Sequence, residues 1–204
     1  MSKEFIAPIN PAALPVARPA PWLRQAGIVL AGSAFVAACA HVALPLGFTP
    51  VPLTLQTFAV MLLGLVLSPR LAAGTLAAYL AEGALGLPVF APTPVFSGGL
   101  AHLFGPTGGY LLAYPLAAAL ISFLWRSTRL SRWGGSFAAA TASAATGNLL
   151  VIGCGGLWLA VLTHAATQSI LTLAVIPFLP GEALKIAAAA GLAAGYRRYR
   201  RQTN

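Results

Sequence analysis

Residues 177–201 are PFLPGEALKIAAAAGLAAGYRRYRR, and this stretch decides the fold because it sets the direction of the terminal helix. It begins with an acid and a lysine, Glu182 and Lys185, continues through an apolar run, and ends in four arginines. Arginines beside a membrane span stay on the cytoplasmic side, so the C-terminus is expected inside the cell. The acid and the lysine are then expected at the outer end of a helix over about 181–196.

The composition of the whole chain predicts the same class of protein. The 204 residues are 58% hydrophobic and 7% charged, whereas about a quarter of the residues in a soluble domain are charged. The formal charge of +9 does not indicate nucleic-acid binding, because most basic residues lie in short gaps between apolar runs or at the two ends. We therefore predict an all-α integral membrane protein.

The apolar runs predict six transmembrane helices with long outer loops, each near the length that crosses a bilayer. The helices are expected at about 25–44, 53–67, 71–86, 107–125, from 136 onward, and at 181–196. They form a single membrane domain over 21–200, which follows a flexible, proline-rich cytoplasmic arm at 1–20. Both termini are then cytoplasmic, and of the 12 basic residues only Lys185 is expected outside.

A further apolar stretch at 157–176 leaves the number of spans open on length alone. A seventh span would move the terminal arginines to the outer side, against the distribution of basic residues. We therefore expect the tail of the fifth helix, followed by a helical or re-entrant segment at the outer surface. Such a segment requires protein cover for its free backbone groups.

Glu182 and Lys185 are three residues apart, so on a helix their side chains project from one face. Ionisable groups within a span usually face a cavity and mark the path of a ligand or ion. Alternatively, the acid complements the helix dipole after Pro180–Gly181, and the lysine pairs with it and reaches the headgroups. As a site, the pair offers an acceptor beside a cationic donor, which suits a ligand with N–H donors and a carbonyl or carboxylate.

Other polar and aromatic residues are candidates for the same site. Buried amides need partners, which a ligand could supply, although interhelical hydrogen bonds are the alternative. Aromatic side chains near the outer half could cover an apolar ring, or they belong to the interfacial belt. The candidate substrate-binding residues from the helices and the long outer loop are Gln56, Tyr79, Phe90, Phe96, Ser97, Tyr110 and Asn148.

Small residues mark one face of the first helix. Ala31, Ala34 and Ala38 are spaced so that another helix backbone can approach closely. This face is a candidate docking surface, either within the bundle or for a second protein.

The sequence lacks the motifs of catalysis and ATP hydrolysis. Its three histidines have no metal-ligand spacing, and it has neither a nucleophile elbow nor a His-Glu-x-x-His helix. The phosphate-binding pattern of ATPases is also missing. We predict a binding protein without covalent catalysis and without a cofactor. The alternatives are an intramembrane enzyme and an assembly subunit, and the latter leaves the Glu182–Lys185 pair without a purpose.

Four ordered motifs resemble the BioY family, the biotin-binding membrane subunits of energy-coupling factor transporters. They are TPVPLTLQ at 49–56, GLPVF at 86–90, GPTGGY at 105–110 and PFLPGEALK at 177–185. The resemblance covers about 25–197. The family usually has an aspartate where this chain has Glu182, so the acid is kept on a longer stem.

The resemblance implies a six-helix subunit of a bacterial cell membrane that binds biotin from outside. It also implies association with a transmembrane coupling subunit and two ATPases, docked on the small-residue face of the first helix; some members work without the ATPases. Glu182 would accept from the ureido N–H groups, while Lys185 would donate to the ureido carbonyl or the carboxylate. Uptake of another small vitamin with a carboxylate or ureido group is the alternative.

Overall fold

The computed structural model describes residues 20–92, 99–127 and 135–203, and within these ranges the chain is mainly α-helical. In chain order the elements are α1 (Pro21–His41), β1 (Ala43–Leu44), β2 (Leu53–Thr54), α2 (Gln56–Val66), α3 (Pro69–Ala84), α4 (Leu100–Leu103), α5 (Gly108–Arg126), α6 (Gly135–Thr163), α7 (Thr167–Ile170) and α8 (Leu179–Gln202). The prediction of a mainly helical protein is confirmed. The predicted arm at 1–20 lies almost wholly outside the described residues.

Four helical segments are long and apolar enough to cross a membrane: Pro21–His41, Gly108–Arg126, Ser136–Thr163 and Thr167–Arg200. The other two helices of more than ten residues, α2 and α3, are shorter than these four segments. α2 is apolar but has 11 residues, which is about 16 Å of helix. α3 has 16 residues, including Arg70 and Glu82. The membrane-protein class is therefore supported, and the count of six spans stays a prediction.

The first helix begins and ends a few residues earlier than predicted. Pro21 stands in the first turn of α1, where the missing N–H costs no hydrogen bond. After His41 the chain turns into a short antiparallel pair, in which Ala43 faces Thr54 and Leu44 faces Leu53. This pair holds the loop at 45–52, which contains Pro45, Pro50 and Pro52, next to the start of α2.

The apolar stretch at 157–176 divides between two helical segments. α6 continues to Thr163, and the chain then leaves the helix through His164, whose φ of 52° is left-handed. From Thr167 it is helical again, passing through a π-helical turn at Leu171–Val175 and a 3-10 turn at Ile176–Phe178 into α8. The predicted tail of the fifth helix is present, and the segment that follows leads directly into the last helix.

The helices pack around α5, which contacts α2, α3 and α6, while α8 packs on α2 and α6. Close contact depends on small residues. A Cβ on Gly64 of α2 would lie 2.9 Å from the Cβ of Ile121 on α5. A Cβ on Gly147 of α6 would lie 2.3 Å from the Cγ1 of the same isoleucine. Both glycines therefore allow their helices to approach the middle of α5, as in many membrane bundles.

The two ends of the bundle differ in charge. Arg126, at the end of α5, donates from Nη2 to the Val66 carbonyl at the end of α2, across 3.2 Å. Arg197 and Arg200 of α8 line the same region. Glu182 lies 15 residues before Arg197 on α8, which corresponds to about 22 Å along the helix. The acid–lysine pair is therefore at the opposite end of the bundle from these arginines.

Candidate ligand-binding cleft

A cleft with about 590 Å³ of empty space, including its open mouth, lies at the end of the bundle away from the arginines. The second strand and the beginnings of α2, α5 and α8 contribute to it, together with the C-terminal half of α6 and the π-helical turn. Its polar wall contains Thr54, Gln56, Thr57 and Glu182. Its apolar and aromatic walls contain Val51, Ala91, His102, Tyr110, Leu111, Tyr114, Val151, Ile152, Ala174 and Phe178.

The charged pair predicted from its spacing is formed. Lys185 Nζ lies 2.7 Å from Glu182 Oε1, and the side chains are 11% and 6% exposed. Thr57 of α2 joins them: its hydroxyl donates to Glu182 Oε1 across 2.9 Å and accepts from Lys185 Nζ across 3.1 Å. The pair is thus removed from water and tied to a second helix. Glu182 and Thr57 line the cleft, whereas Lys185 is not among the lining residues and contacts the cleft wall through these two side chains.

The other carboxylate oxygen of this pair, Glu182 Oε2, is buried and has no hydrogen-bond partner among the described residues. A buried acceptor left without a donor costs about 1–3 kcal/mol. A ligand that brings an N–H group to Oε2 would recover this energy.

Gln56 is buried in the cleft wall and begins a chain of hydrogen bonds that leads away from the cleft. Its Oε1 accepts from the Thr54 hydroxyl across 3.1 Å, and its Nε2 donates to the Tyr79 hydroxyl across 2.7 Å. That hydroxyl in turn donates to the Val89 carbonyl across 3.0 Å. The amide is therefore held in one orientation by partners on both sides.

Tyr79 and Phe90, predicted as ring-covering residues, lie behind the cleft wall. Both are buried in the core, and their rings make an edge contact with centroids 5.5 Å apart. Phe90 also stacks on His102, at 4.9 Å between centroids, and His102 does line the cleft. The phenylalanine ring lies so close to α3 that a Cβ on Gly83 would be 2.1 Å from it. These two aromatics support the wall, and their contact with a ligand stays a prediction.

Tyr110 lines the cleft directly. Its hydroxyl donates to the Ala174 carbonyl in the π-helical turn, across 3.1 Å. Its ring packs on α6, where a Cβ on Gly155 would lie 2.2 Å away. These contacts fix the ring between α5, α6 and the segment before α8.

Asn148 lies outside the cleft, on a small separate cavity that it shares with Thr57, Gly147 and Val151. Its Oδ1 is buried and has no partner within the part of the chain that the structure describes. Thr57 borders both the cleft and this cavity, so Asn148 is separated from the cleft by Thr57 and its neighbours. Phe96 and Ser97, also predicted for the site, lie outside the described residues.

Glu82, the other acid among the described residues, is not part of the cleft. It accepts a hydrogen bond from the Ser33 hydroxyl of α1, and it therefore links two neighbouring helices. Across 20–92, 99–127 and 135–203, no group of three or more His, Cys, Asp or Glu side chains could hold a metal ion.

Of the residues that line the cleft, only Gln56, Tyr110 and Glu182 were predicted from the sequence. The polar and aromatic lining residues that were missed are Thr54, Thr57, His102, Thr107, Tyr114 and Phe178. A signal existed for Thr57, because it is a hydroxyl residue one position after Gln56 in an otherwise apolar helix. No local pattern indicated that His102 or Tyr114 faces the same space, because their position depends on how α4 and α5 pack. Phe178 stands in the quoted terminal stretch. The irregular turns before α8 interrupt the helical periodicity there, so the sequence did not indicate which way its side chain faces.

The predicted docking residues lie on the outside of the bundle. Ala31, Ala34 and Ala38 are all exposed on α1, and a Cβ on Gly27 of the same helix would meet no other atom within 4 Å. The small-residue face is therefore not used for packing within the described bundle.

Comparison with known proteins places the chain among relatives of similar length. A model of the BioY family matches residues 10–202. The chain is 39% identical over 140 residues to the probable biotin transporter BioY of Pyrococcus horikoshii, covering 69% of this chain and 76% of that protein. It is 36% identical over 171 residues to the biotin transporter BioY of Thermotoga maritima, covering 84% of this chain and 92% of that protein.

The fold also matches a solved structure. The S-component for biotin from an ECF-type ABC transporter superposes with a TM-score of 0.78, over 90% of this chain and 95% of that chain. The sequence identity is 24%, so this match shows a shared fold.

Proposed function

This chain belongs to the BioY family, as the four motifs indicated, and on that premise we propose that it is the membrane subunit that captures biotin for uptake. It is a transport component, not an enzyme. The observation that carries the proposal is the buried Glu182–Lys185 pair, held by Thr57 at the end of the bundle opposite the arginines.

The chemistry of the cleft matches the groups that biotin offers. A ureido N–H can donate to Glu182 Oε2, which accepts nothing from the described residues. Lys185 can donate to the ureido carbonyl or to the carboxylate. The fused apolar ring fits against the side of the cleft formed by Val151, Ile152 and Phe178. Gln56 and Tyr110, which both line the cleft, are proposed as further contacts.

Equilibrium binding of labelled biotin to the purified protein tests the proposal. Glu182→Gln should weaken binding by about tenfold or more, because the neutral amide presents an N–H group where the ligand also donates. The conservative variant Glu182→Asp should retain more affinity, since it keeps the negative acceptor. A wild-type protein that is folded but does not bind biotin would overturn the function. Equal affinity in all three proteins would remove Glu182 from the site.

The membrane arrangement is proposed from the distribution of charge. With α2 and α3 counted beside the four longer segments, the bundle has six spans, and both termini lie in the cytoplasm of a bacterial cell. Arg126 and Arg197 then lie at the inner surface, as expected for basic residues beside spans. The cleft opens to the outside, where biotin is captured.

Energy-coupling partners are proposed as a transmembrane coupling subunit and two ATPases. The exposed face of Ala31, Ala34 and Ala38 supports a helix docking site, because small side chains permit close backbone approach in a bilayer. The chain itself has no phosphate-binding motif, so ATP-driven uptake requires such partners.

A further inference from the structure

A second cleft opens at the arginine-bearing end of the bundle, between the ends of α2, α5 and α8. It encloses about 860 Å³ of empty space, including its open side. Arg126, Arg197 and Arg200 line it together with the apolar and aromatic residues Leu65, Val66, Trp125 and Tyr196. This cleft shares no lining residue with the candidate ligand-binding cleft, and Arg197 lies about 22 Å along α8 from Glu182.

Two of the three guanidinium groups are held in place. Arg126 donates from Nε to the Ser122 hydroxyl and from Nη2 to the Val66 carbonyl, both across 3.2 Å. Arg197 lies over the ring of buried Trp125, 4.7 Å from its centroid. An anchored guanidinium loses little conformational entropy on binding an anion, and its planar fork suits a phosphate.

The cleft carries uncompensated positive charge. The described acids are Glu82, which pairs with Ser33, and Glu182, which lies at the other end of α8. Neither lines this cleft, so its three cations face one another without a carboxylate among the described residues. Like charges gathered in one cleft favour the binding of an anion.

Apolar surface continues from the cleft along the helices. Val66 and Tyr196 are 45% and 55% exposed at its edge, and Leu192, one turn before Tyr196 on α8, is 57% exposed. A ligand with an anionic head and hydrocarbon chains would contact both the guanidinium groups and these side chains. A free phosphate ion would use only the former.

We propose that this cleft binds the phosphate headgroup of an anionic phospholipid, with its acyl chains along Val66, Tyr196 and Leu192. The guanidinium groups of Arg126 and Arg197 contact the phosphate, and Arg200 closes the side toward the water. The lipid would lie where α2, α5 and α8 meet and would hold their ends together. Basic pockets between helices near the cytoplasmic surface commonly recognise such headgroups.

Lipid binding can be measured on the full chain in a neutral detergent, by titrating phosphatidylglycerol and counting bound lipids by native mass spectrometry. The test variant is Arg126→Gln with Arg197→Gln. The control is Arg24→Gln with Arg198→Gln, which removes the same number of charges from positions that do not line the cleft. Phosphatidylcholine and inorganic phosphate serve as the neutral lipid and the free anion. Biotin binding by each variant reports whether it has folded.

The wild-type protein should bind phosphatidylglycerol in preference to phosphatidylcholine. The test variant should bind it at least tenfold more weakly, and the control within about twofold of wild type. Equal losses in both variants would show diffuse attraction, and unchanged binding in the test variant would place the lipid elsewhere; either overturns the proposal. Displacement by inorganic phosphate at equal concentration would overturn the lipid assignment in favour of a free anion.

A variant that fails to fold would not end the test. If the test variant does not bind biotin, Arg200→Gln takes its place. The Arg200 guanidinium lies over the ring of Tyr196 on its own helix, so its loss should disturb the packing between helices less. Its binding of phosphatidylglycerol is compared with that of Arg198→Gln alone. A loss of several-fold confined to Arg200→Gln supports the cleft, and equal binding by the two variants contradicts it.

Discussion

The Thr57 hydroxyl donates to Glu182 Oε1 across 2.9 Å, although 125 residues separate the two in sequence. This bond ties the start of α2 to the start of α8 and fixes the carboxylate from one side. The ammonium group of Lys185 fixes it from another. The second carboxylate oxygen has no partner among the described residues. If a ligand binds there, as proposed, it does not have to order a mobile side chain.

Lys185→Ala should weaken biotin binding about tenfold to 100-fold, because it removes a charged donor to the ligand, and a hydrogen bond to a charged group contributes about 1.5–3 kcal/mol. Titration with labelled biotin measures the change. Leu184→Ala is the matched control, since this neighbouring side chain is 73% exposed and, unlike Lys185, is not bonded to Glu182 or Thr57. Affinity unchanged by Lys185→Ala would exclude the lysine from the site.

Thr57→Val should weaken biotin binding about fivefold to tenfold, because it removes one hydrogen bond to each charged group while keeping the shape of the side chain. Thr146→Val is the control, since the Thr146 hydroxyl donates only to the Ala142 carbonyl of its own helix among the bonds described. The same titration compares the two. If both variants bind alike, Thr57 is not needed to orient the pair.

The sequence predicted those parts of the site that depend on local geometry. Glu182 and Lys185 meet because residues three apart on a helix share a face, which needs no knowledge of the fold. The contact with Thr57 depends on how α2 packs against α8, and periodicity does not contain that information. The same limit explains why Tyr79 was predicted to line the cleft but lies behind its wall.

The prediction of the helices had a similar limit. Apolar runs indicated the long spans, because length and hydropathy are properties of a single segment. The end of α1 was placed too late because Ala43 and Leu44 are apolar, yet they pair with the strand that precedes α2. The irregular turns before α8 were also beyond prediction, since Pro177 and Pro180 indicate a break but not its geometry.

Ala34→Phe should leave biotin binding unchanged and reduce co-purification with a coupling subunit. Ala34 is exposed on the outer face of α1, so a larger side chain clashes with a docked helix but not with the bundle. Ala142→Phe, at an exposed position on α6, is the control for added bulk. Co-expression with an affinity-tagged coupling subunit measures the effect. A complex that survives Ala34→Phe intact would place the docking face elsewhere.

The polarity of the bundle can be tested by labelling single cysteines in intact cells. With Cys39 and Cys154 replaced by alanine, Ala166→Cys places a thiol in the exposed segment between α6 and α7, and Tyr199→Cys places one at the arginine-bearing end. A membrane-impermeant maleimide should label the first variant in intact cells and the second only after permeabilisation, because basic residues stay in the cytoplasm. The reverse pattern would open the cleft to the cytosol, where it could not capture biotin from outside.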